Sequence, residues 1–416
     1  MPIHRIDRFI ESKYGIIDRL IEGGIYLFII FLFITKGEGI RNILLFTNFF
    51  LWLITFKYRK NKCTLVEPVS LLFWGNIISI ILSVVFSIDM LYSFSELEGD
   101  FSKSLLLFPV LSTILSDEKR LRRFIYVSFF ILFFTTSAGI YSFLIHGISI
   151  QKIDTPLRHA MHNRFARDLN SLLPFAIVLL FITRGLMSRI LIFVVIFASI
   201  ATLIISMSRG GIIAFLIIFC SWVIYSLRKN EMNLKFILAS IIAAFLFIGT
   251  ILYCLSPDIR DRISYTESAI TTLNERTPAW MPVIYAGAER PLFGWGYGGK
   301  IFRMDLPFEK TPFKVTPFNP GLKNPHNTFL SKLFHQGIVG LILYLALLIV
   351  AVMAFWKKAH STHGLKSYIL IACTSILVGN YFVHSMAEVV HFRYLTLILG
   401  VGIATLNINS ENSNCP

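Results

Sequence analysis

The chain has 416 residues, of which 55% are hydrophobic and 15% charged, and its formal net charge is 39 − 24 = +15. Soluble domains average about a quarter charged residues, so this composition excludes an ordinary soluble enzyme, a disordered chain and a small disulfide scaffold. It predicts an all-α fold, a polytopic bundle of membrane helices.

A membrane-spanning helix needs about 20 mostly apolar residues, or fewer where it packs inside a bundle. Twelve segments fit: residues 17–35, 40–56, 68–88, 104–116, 123–146, 169–183, 189–207, 211–227, 235–255, 332–355, 366–386 and 392–409. They divide the chain into nine helices in residues 1–255, a long loop with short amphipathic helices in 256–325, and three helices with a short tail in 326–416.

Lys and Arg residues are concentrated in every second loop between the predicted spans. The loops expected on the inner side are rich in Lys and Arg: residues 57–63, 117–123, 184–189, 228–235 and 356–366. The outer loop 89–100 carries four acidic residues and no basic one. The positive-inside rule therefore predicts that both termini are cytoplasmic.

Two loops on the expected outer side break this rule. Residues 149–168 carry four Lys or Arg residues against two acidic ones, and residues 256–325 carry nine against seven. An anionic substrate is the simple explanation for this charge. Solvated charge on a folded loop is the alternative.

The long outer loop contains one predicted helix, residues 278–289. Thr277 suits its N-cap, Pro278 its first turn, and Pro291 follows its end. Four residues share one face of this helix at helical spacing: Trp280, Val283, Ile284 and Gly287. We expect that face to lie on the bilayer surface or on the bundle.

The interiors of the predicted spans are almost free of ionisable residues. Those in the spans lie near the ends: Glu22, Lys103, Lys332, Glu388 and Arg393. Charged residues deep in a span usually mark ion or proton pathways, so this pattern argues against an ion-coupled transporter or pump. It does not exclude a passive channel, and chemistry at the outer face fits it better.

The first candidate feature at the outer face is the turn Ser206–Gly211 between the seventh and eighth spans. Arg209 lies there beside glycines that let a backbone or a ligand approach closely. Its guanidinium suits bidentate phosphate binding. The alternative is an arginine that anchors the helix at the membrane interface.

The second feature comprises Asn274–Trp280 and the glycine-rich segment Pro291–Gly299. Arg276 precedes the predicted helix and adds its charge to the positive end of the helix. The glycines follow no strand and lack the Lys-Ser/Thr of a P-loop, so a nucleotide site is not expected. Three aromatic residues suit either stacking on sugar rings or an interfacial belt: Trp280, Trp295 and Tyr297.

The third feature is His326-Asn327 at the start of the tenth span, followed by Gly337 and Gly340. A histidine at the lip of a helix can act as a general base near neutral pH. The alternative is a capping role for Asn327, with His326 merely adjacent and the glycines as points of close helix packing.

The sequence gives little indication of a metal site. His159 and His162 are three residues apart, but no nearby carboxylate pair or cysteine completes a site. We therefore expect no metal, no other cofactor and, in a membrane protein, no nucleic acid.

Together these features resemble the O-antigen ligase (WaaL-type) family of Gram-negative inner membranes. That family has a histidine, then Asn, Ser or Gln, nine residues, Gly, two residues, and Gly, Thr or Tyr. This chain has His326-Asn327, Gly337 and Gly340 at that spacing. Three further elements look like the family: Ser208-Arg209-Gly210, Arg276–Trp280 and Pro291–Gly296. The architecture agrees over the whole chain, while the residue matches cluster in its second half.

The resemblance implies a metal-independent, inverting glycosyltransferase with the GT-C type of membrane fold and a periplasmic active site. The donor would be an O-antigen glycan on undecaprenyl pyrophosphate. The acceptor would be a sugar hydroxyl of the lipid A–core, and the product lipopolysaccharide.

The resemblance also implies roles for individual residues. His326 would remove the acceptor proton or orient the hydroxyl, and Arg209 and Arg276 would hold the pyrophosphate. Five further residues would contribute to substrate binding: Arg290, Arg158, Arg164, Asn327 and Trp280. Replacing His326 by Gln would separate the two roles of the histidine.

Several related and unrelated activities compete with this interpretation. An O-antigen polymerase would share the bundle and the outer arginines. A protein O-oligosaccharyltransferase would share the His-Asn motif but usually carries a further outer domain, which we do not expect here. A flippase or channel for lipid-linked glycans would need a polar path across the membrane, and a structural assembly subunit would tolerate loss of the outer arginines.

Overall fold

The computed structural model describes residues 3–33, 37–56, 65, 67–97, 99–146, 152–154, 159–230, 232–255, 273–299, 301 and 325–408. Its first helices are α1 (Ile3–Phe33), α2 (Glu38–Thr55), α3 (Pro68–Val85), α4 (Met90–Glu96), α5 (Asp100–Ile114) and α6 (Glu118–His146). A short antiparallel pair of strands follows, β1 (Lys152–Asp154) and β2 (His159–Met161), with Ile153 opposite Ala160.

The second half is helical in every described element. It contains α7 (His162–Ile182), α8 (Leu186–Ile205), α9 (Arg209–Lys229), α10 (Met232–Leu255), α11 (Leu273–Glu289), α12 (Thr328–Ser361), α13 (Gly364–Ile376) and α14 (Phe392–Leu406). After α13 the chain continues through a π-helical turn, Leu377–Val383, and a 3-10 turn, His384–Met386.

Seven helical segments of the described chain are long and apolar enough to cross a membrane: α3, residues 118–145 of α6, α7, α8, α9, α12 and residues 364–386. Two further apolar helices are shorter, residues 101–114 and α14. The chain is therefore a polytopic helical membrane protein. Each of the twelve predicted spans overlaps a helix, but the count of twelve stays a prediction.

Aromatic packing joins distant helices in the core. The ring of Phe73 on α3 stacks at 3.9 Å on Phe108 of α5 and at 5.6 Å on Phe392 of α14. Asn76 of α3 donates its side-chain amide to the carbonyl of Leu343 on α12, at 2.9 Å. Stacked aromatic pairs stabilise a core beyond the burial of their apolar area, so these contacts help to fix how α3 and α5 pack against α12 and α14.

Polar contacts join helices that are distant in the sequence. Buried Glu22 of α1 contacts Arg123 at 2.8 Å, at the start of α6. Lys229 donates to the carbonyl of Thr362 at 3.0 Å, and Lys366 to that of Ile408 at 2.9 Å. These contacts join α1 to α6, the end of α9 to the residue after α12, and α13 to the residues after α14, while the cytoplasmic side of the bundle stays a prediction.

The structure corrects the predicted loop 149–168. Helix α7 begins at His162, so residues 162–168 are helical. Two of the charges that suggested a loop are paired inside the bundle, because Arg167 binds Asp168 at 2.7 Å and stacks at 4.1 Å over the ring of Tyr394. The expectation of span interiors almost without charge is therefore wrong for α7.

The predicted helix 278–289 is longer at its start. Helix α11 begins at Leu273, so Thr277 lies inside it and is not its N-cap. Packing overrides the local signal here, because Val283 and Ala286 are buried and Gly287 faces Leu333 of α12. Ile284, on the face expected to lie on the bilayer surface or on the bundle, is exposed and does not pack on the bundle.

Helix α12 is broken at Gly337, whose φ is 65° and ψ −166°. The glycine-rich segment pairs the backbone groups that the break frees. The backbone N–H of Trp295 donates to the carbonyl of Phe334 at 2.9 Å, and that of Ile338 donates to the carbonyl of Pro291 at 2.7 Å. Freed backbone groups must find partners in a low-dielectric bundle, so this segment holds the first part of α12 in place.

Candidate active site

His326 precedes the first turn of α12 in a conformation that its neighbours fix. Asn327 is the N-cap, and its side-chain oxygen accepts from the backbone N–H groups of Phe329 at 2.9 Å and Leu330 at 3.1 Å. His326 itself has φ 49°, in the left-handed region that residues other than glycine rarely adopt. Its side chain is 46% exposed, so the imidazole faces outward from a rigid helix start.

Glu388 lies against His326. Its Oε2 is 3.6 Å from Nδ1 of His326, and its side chain is only 8% exposed. Thr328, the first residue of α12, donates its hydroxyl to the carbonyl of Glu388 at 3.0 Å and accepts from the N–H of Val390 at 3.0 Å. The acid and the histidine are therefore anchored to the same helix end.

The charge of Glu388 is favoured by its surroundings. Burial raises the pKa of this carboxyl, but the contact with His326 and the positive charges of Arg164 and Arg167 outweigh burial. The net direction of the pKa is down. The carboxylate is thus ionised near neutral pH, which suits a partner for an imidazole.

Asn163 on α7 joins this pair to the Ser208–Arg209 turn. Its amide nitrogen lies 3.5 Å from Oε2 of Glu388, and its amide oxygen accepts from the hydroxyl of Ser208 at 2.7 Å. Ser208 is the N-cap of α9 and accepts from the N–H of Gly211 at 3.1 Å. Two of the three features that the sequence predicted at the outer face therefore meet through side chains of α7 and of the segment before α14.

Arg209 is the first residue of α9 and is partly buried. The turn that carries it packs closely on the segment containing Glu388, because a Cβ atom at Gly210 would lie 2.9 Å from Cβ of Ala387. A guanidinium at a helix N-terminus next to this pair adds to the positive potential of the site.

Trp280 brings α11 to the same place. Its indole N–H donates to the carbonyl of Pro325 at 3.1 Å, directly before His326. Arg276 precedes Trp280 by about one turn of α11, and its side chain lies outside the described residues. Arg158 also lies outside them.

The other predicted residues that the structure describes do not contact His326. Arg164 is exposed in the first turns of α7, within electrostatic reach of Glu388. Arg290 donates to the carbonyl of Phe86 at 3.2 Å and lies 4.8 Å over the ring of Trp295. Trp295 is buried and donates to the carbonyl of Ala286 at 2.6 Å, so it packs in the core of this segment and belongs to neither a sugar platform nor an interfacial belt.

A buried polar cluster joins α7 to the π-helical turn. The amide of Asn380, in the π-helical turn, donates to the carbonyl of Arg167 at 3.2 Å and lies 2.9 Å from the hydroxyl of Ser171. Gly379 lets the π-helical turn approach α9 closely, because a Cβ there would lie 2.4 Å from Cγ1 of Ile218 on that helix. π-Helical turns occur often at functional sites, and this one brings α7, α9 and α13 together.

The sequence does not predict a role for Asn163 or Glu388. It predicts Glu388 only as a charge near the end of a span, and Asn163 as part of a loop. The signal that the sequence offered was an acidic residue within an otherwise apolar stretch, which usually has a partner.

The part of the chain that the structure describes contains no group of three or more His, Cys, Asp or Glu residues arranged to hold a metal ion. His159 ends up in β2 and His162 at the start of α7.

Comparison with known proteins gives one family. A family model described as O-antigen ligase matches residues 192–345, which include Arg209, Arg276 and His326. Among curated proteins, none matches the chain in sequence.

Proposed function

We propose that the chain transfers an O-antigen glycan from undecaprenyl pyrophosphate to a sugar hydroxyl of the lipid A–core. The match of residues 192–345 to a family model described as O-antigen ligase supports this proposal. The reaction completes lipopolysaccharide at the periplasmic face of a Gram-negative inner membrane. Both termini lie in the cytoplasm, and the bundle is of the GT-C type.

The observation that carries this proposal is the meeting of His326 with the Ser208–Arg209 turn. The path runs from His326 to Glu388 at 3.6 Å, from Glu388 to Asn163 at 3.5 Å, and from Asn163 to Ser208 at 2.7 Å. A proton acceptor and a phosphate-binding cation therefore stand at one end of the bundle. Transfer of a glycan from a pyrophosphate to a hydroxyl needs these two groups together.

The proposed step is a single displacement that inverts the anomeric carbon. The acceptor oxygen forms a bond to that carbon while the bond from the carbon to the pyrophosphate oxygen breaks, and the bonding electron pair leaves with the pyrophosphate. The acceptor proton passes to His326. A neutral imidazole is a weak base toward a sugar hydroxyl, so proton transfer is late and concerted with bond formation.

Arg209 and Arg276 stabilise the negative charge that develops on the departing pyrophosphate. Fixed cations aimed at a leaving group lower a barrier by several kcal/mol. We assign Arg158, Arg164 and Arg290 to phosphates of the donor or the core, and Trp280 and Asn327 to the acceptor side of the site. Asn327 acts at least partly through its cap, which sets the position of His326.

The test is complementation in a ligase-deleted host that has the matching core. Wild type is expected to restore the lipopolysaccharide ladder on a gel, and His326→Ala and Arg209→Ala are expected to abolish it at equal protein abundance. Arg122→Ala is the matched control, because Arg122 is exposed and pairs with Glu118 at 3.2 Å on α6.

The same proteins decide between the ligase and the polymerase activity. If wild type restores no ladder in the ligase-deleted host but restores chain extension in a polymerase-deleted host, the ligase assignment is wrong and the polymerase assignment replaces it. If wild type and His326→Ala both restore the ladder, ligation stands and the role given to His326 is wrong.

A further inference from the structure

Glu388 and Asn163 bridge the two halves of the site although the proposed chemistry gives them no step. We infer that both are positioning residues, which hold the imidazole of His326 in register with the Ser208–Arg209 turn. This inference rests on the proposed function, because it assigns both residues to the same transfer reaction.

The carboxylate of Glu388 has a position that packing alone does not explain. A buried carboxylate is costly unless it is paired. The described polar contacts of this carboxylate are with Nδ1 of His326 at 3.6 Å and the amide of Asn163 at 3.5 Å, both at Oε2. These distances are longer than a good hydrogen bond, and such contacts often shorten when substrate binds.

The backbone holds Glu388 where this contact can shorten. Thr328 bonds both the carbonyl of Glu388 and the N–H of Val390, while the N–H of Glu388 donates to the carbonyl of His384 at 3.1 Å. Only the two side chains need to adjust for the contact to become a hydrogen bond. With the proton of His326 on Nδ1 facing Glu388, Nε2 keeps its lone pair for the acceptor hydroxyl.

Asn163 carries the alignment to the phosphate side. Its amide oxygen accepts from Ser208 and its amide nitrogen faces Glu388, so a single side-chain orientation serves both neighbours. An aspartate at this position would keep the bond to Ser208 but place a second carboxylate against Glu388. Ser208 caps the helix that begins with Arg209, so a shift of Asn163 moves the arginine relative to the histidine.

Several other charged groups face this pair. Arg164 and Arg167 come from α7, and His384 lies four residues before Glu388 on the same segment. Both arginines are present in wild type and in Glu388→Gln. A difference between the two proteins therefore reports the loss of the carboxylate charge.

The experiment compares Glu388→Gln and Asn163→Asp with wild type, using full-length protein in detergent and purified donor and acceptor. We expect kcat to fall about 10–100-fold, the usual effect of losing a partner that orients a histidine, with a smaller change in KM for the acceptor. Glu388→Asp should recover part of the activity that Glu388→Gln loses. Glu289→Gln is the matched control, since Glu289 is an exposed carboxylate at the end of α11.

The outcomes separate the two hypotheses. If wild type ligates and Glu388→Gln matches it in kcat, the inference is overturned and the proposed function stands. A loss of activity in Glu388→Gln that Glu388→Asp does not recover, with KM for the acceptor changed as much as kcat, also overturns the inference, because it indicates structural damage alone. If wild type has no transferase activity, the proposed function fails and the inference that rests on it fails with it.

Discussion

A Cβ atom on Gly337 would lie 2.3 Å from the carbonyl oxygen of Leu292. This close approach lets the glycine-rich segment reach the backbone of α12 at the break of that helix. Gly337 and the glycines of 291–296 therefore act as one structural unit, although about 40 residues separate them. These glycines belong to the elements that resemble the family motifs. Their contacts hold the part of α12 that begins beside His326.

Gly337→Ala should destabilise the protein. The added methyl group collides with the Leu292 carbonyl, and alanine at φ 65° is strained by about 1–3 kcal/mol. The apparent melting temperature in detergent, followed by tryptophan fluorescence, should fall. Gly249→Ala on α10 is the control, because no heavy atom lies within 4 Å of the added Cβ. Equal melting of the two variants would contradict this role for Gly337.

The helical architecture could be predicted because apolar runs of about 20 residues define membrane helices almost without tertiary information. The predicted spans and the observed helices agree best where the run is uninterrupted, as in α8 and α9. The predicted spans and the observed helices disagree where charged residues lie within a helix, as in α7. Arg167 and Asp168 resemble loop residues until their pairing with each other and with Tyr394 is known.

His326 should act as a proton acceptor in addition to orienting the hydroxyl. His326→Gln preserves a polar side chain of similar reach but cannot take a proton, so kcat should fall about 10²–10⁴-fold, close to the loss in His326→Ala. Initial rates of glycan transfer at saturating donor measure this. Near wild-type rates in the glutamine variant would mean that the residue only orients the acceptor.

The candidate site could be predicted only in part. The charge alternation and the motifs placed His326, Arg209 and Arg276 on one side of the membrane. Asn163 and Glu388 are 225 positions apart in the chain, and neither belongs to a motif that indicates a catalytic role. Their contact depends on the packing of α7 against the π-helical turn, which no local pattern encodes.

Acidification should destabilise the protein partly through Glu388. The pKa of its carboxyl lies below the ordinary value of 4.5, so ionised Glu388 stabilises the fold at pH values above 4.5. That stability is lost as the pH falls through the lowered pKa. The apparent melting temperature of wild type should therefore drop more steeply below pH 4.5 than that of Glu388→Gln. Parallel curves for the two proteins would contradict the direction of this shift.

The buried pair Arg167–Asp168 should show a strong asymmetry between single and double substitution. The side chains are 2% and 4% exposed and 2.7 Å apart, so removal of Asp168 leaves an arginine in the bundle without its counter-ion. Asp168→Leu should cost about 3–5 kcal/mol of stability, whereas the double variant Arg167→Leu/Asp168→Leu should recover much of that loss.

Glu118 and Arg122 form the control pair at 3.2 Å, with side chains 57% and 44% exposed. Glu118→Ala should cost no more than about 1 kcal/mol, because exposed pairs are screened by water. Apparent melting temperatures in one detergent compare the three variants with wild type. If the double variant is less stable than Asp168→Leu, the arginine is held mainly by its stacking on Tyr394 and its pairing with Asp168 is secondary.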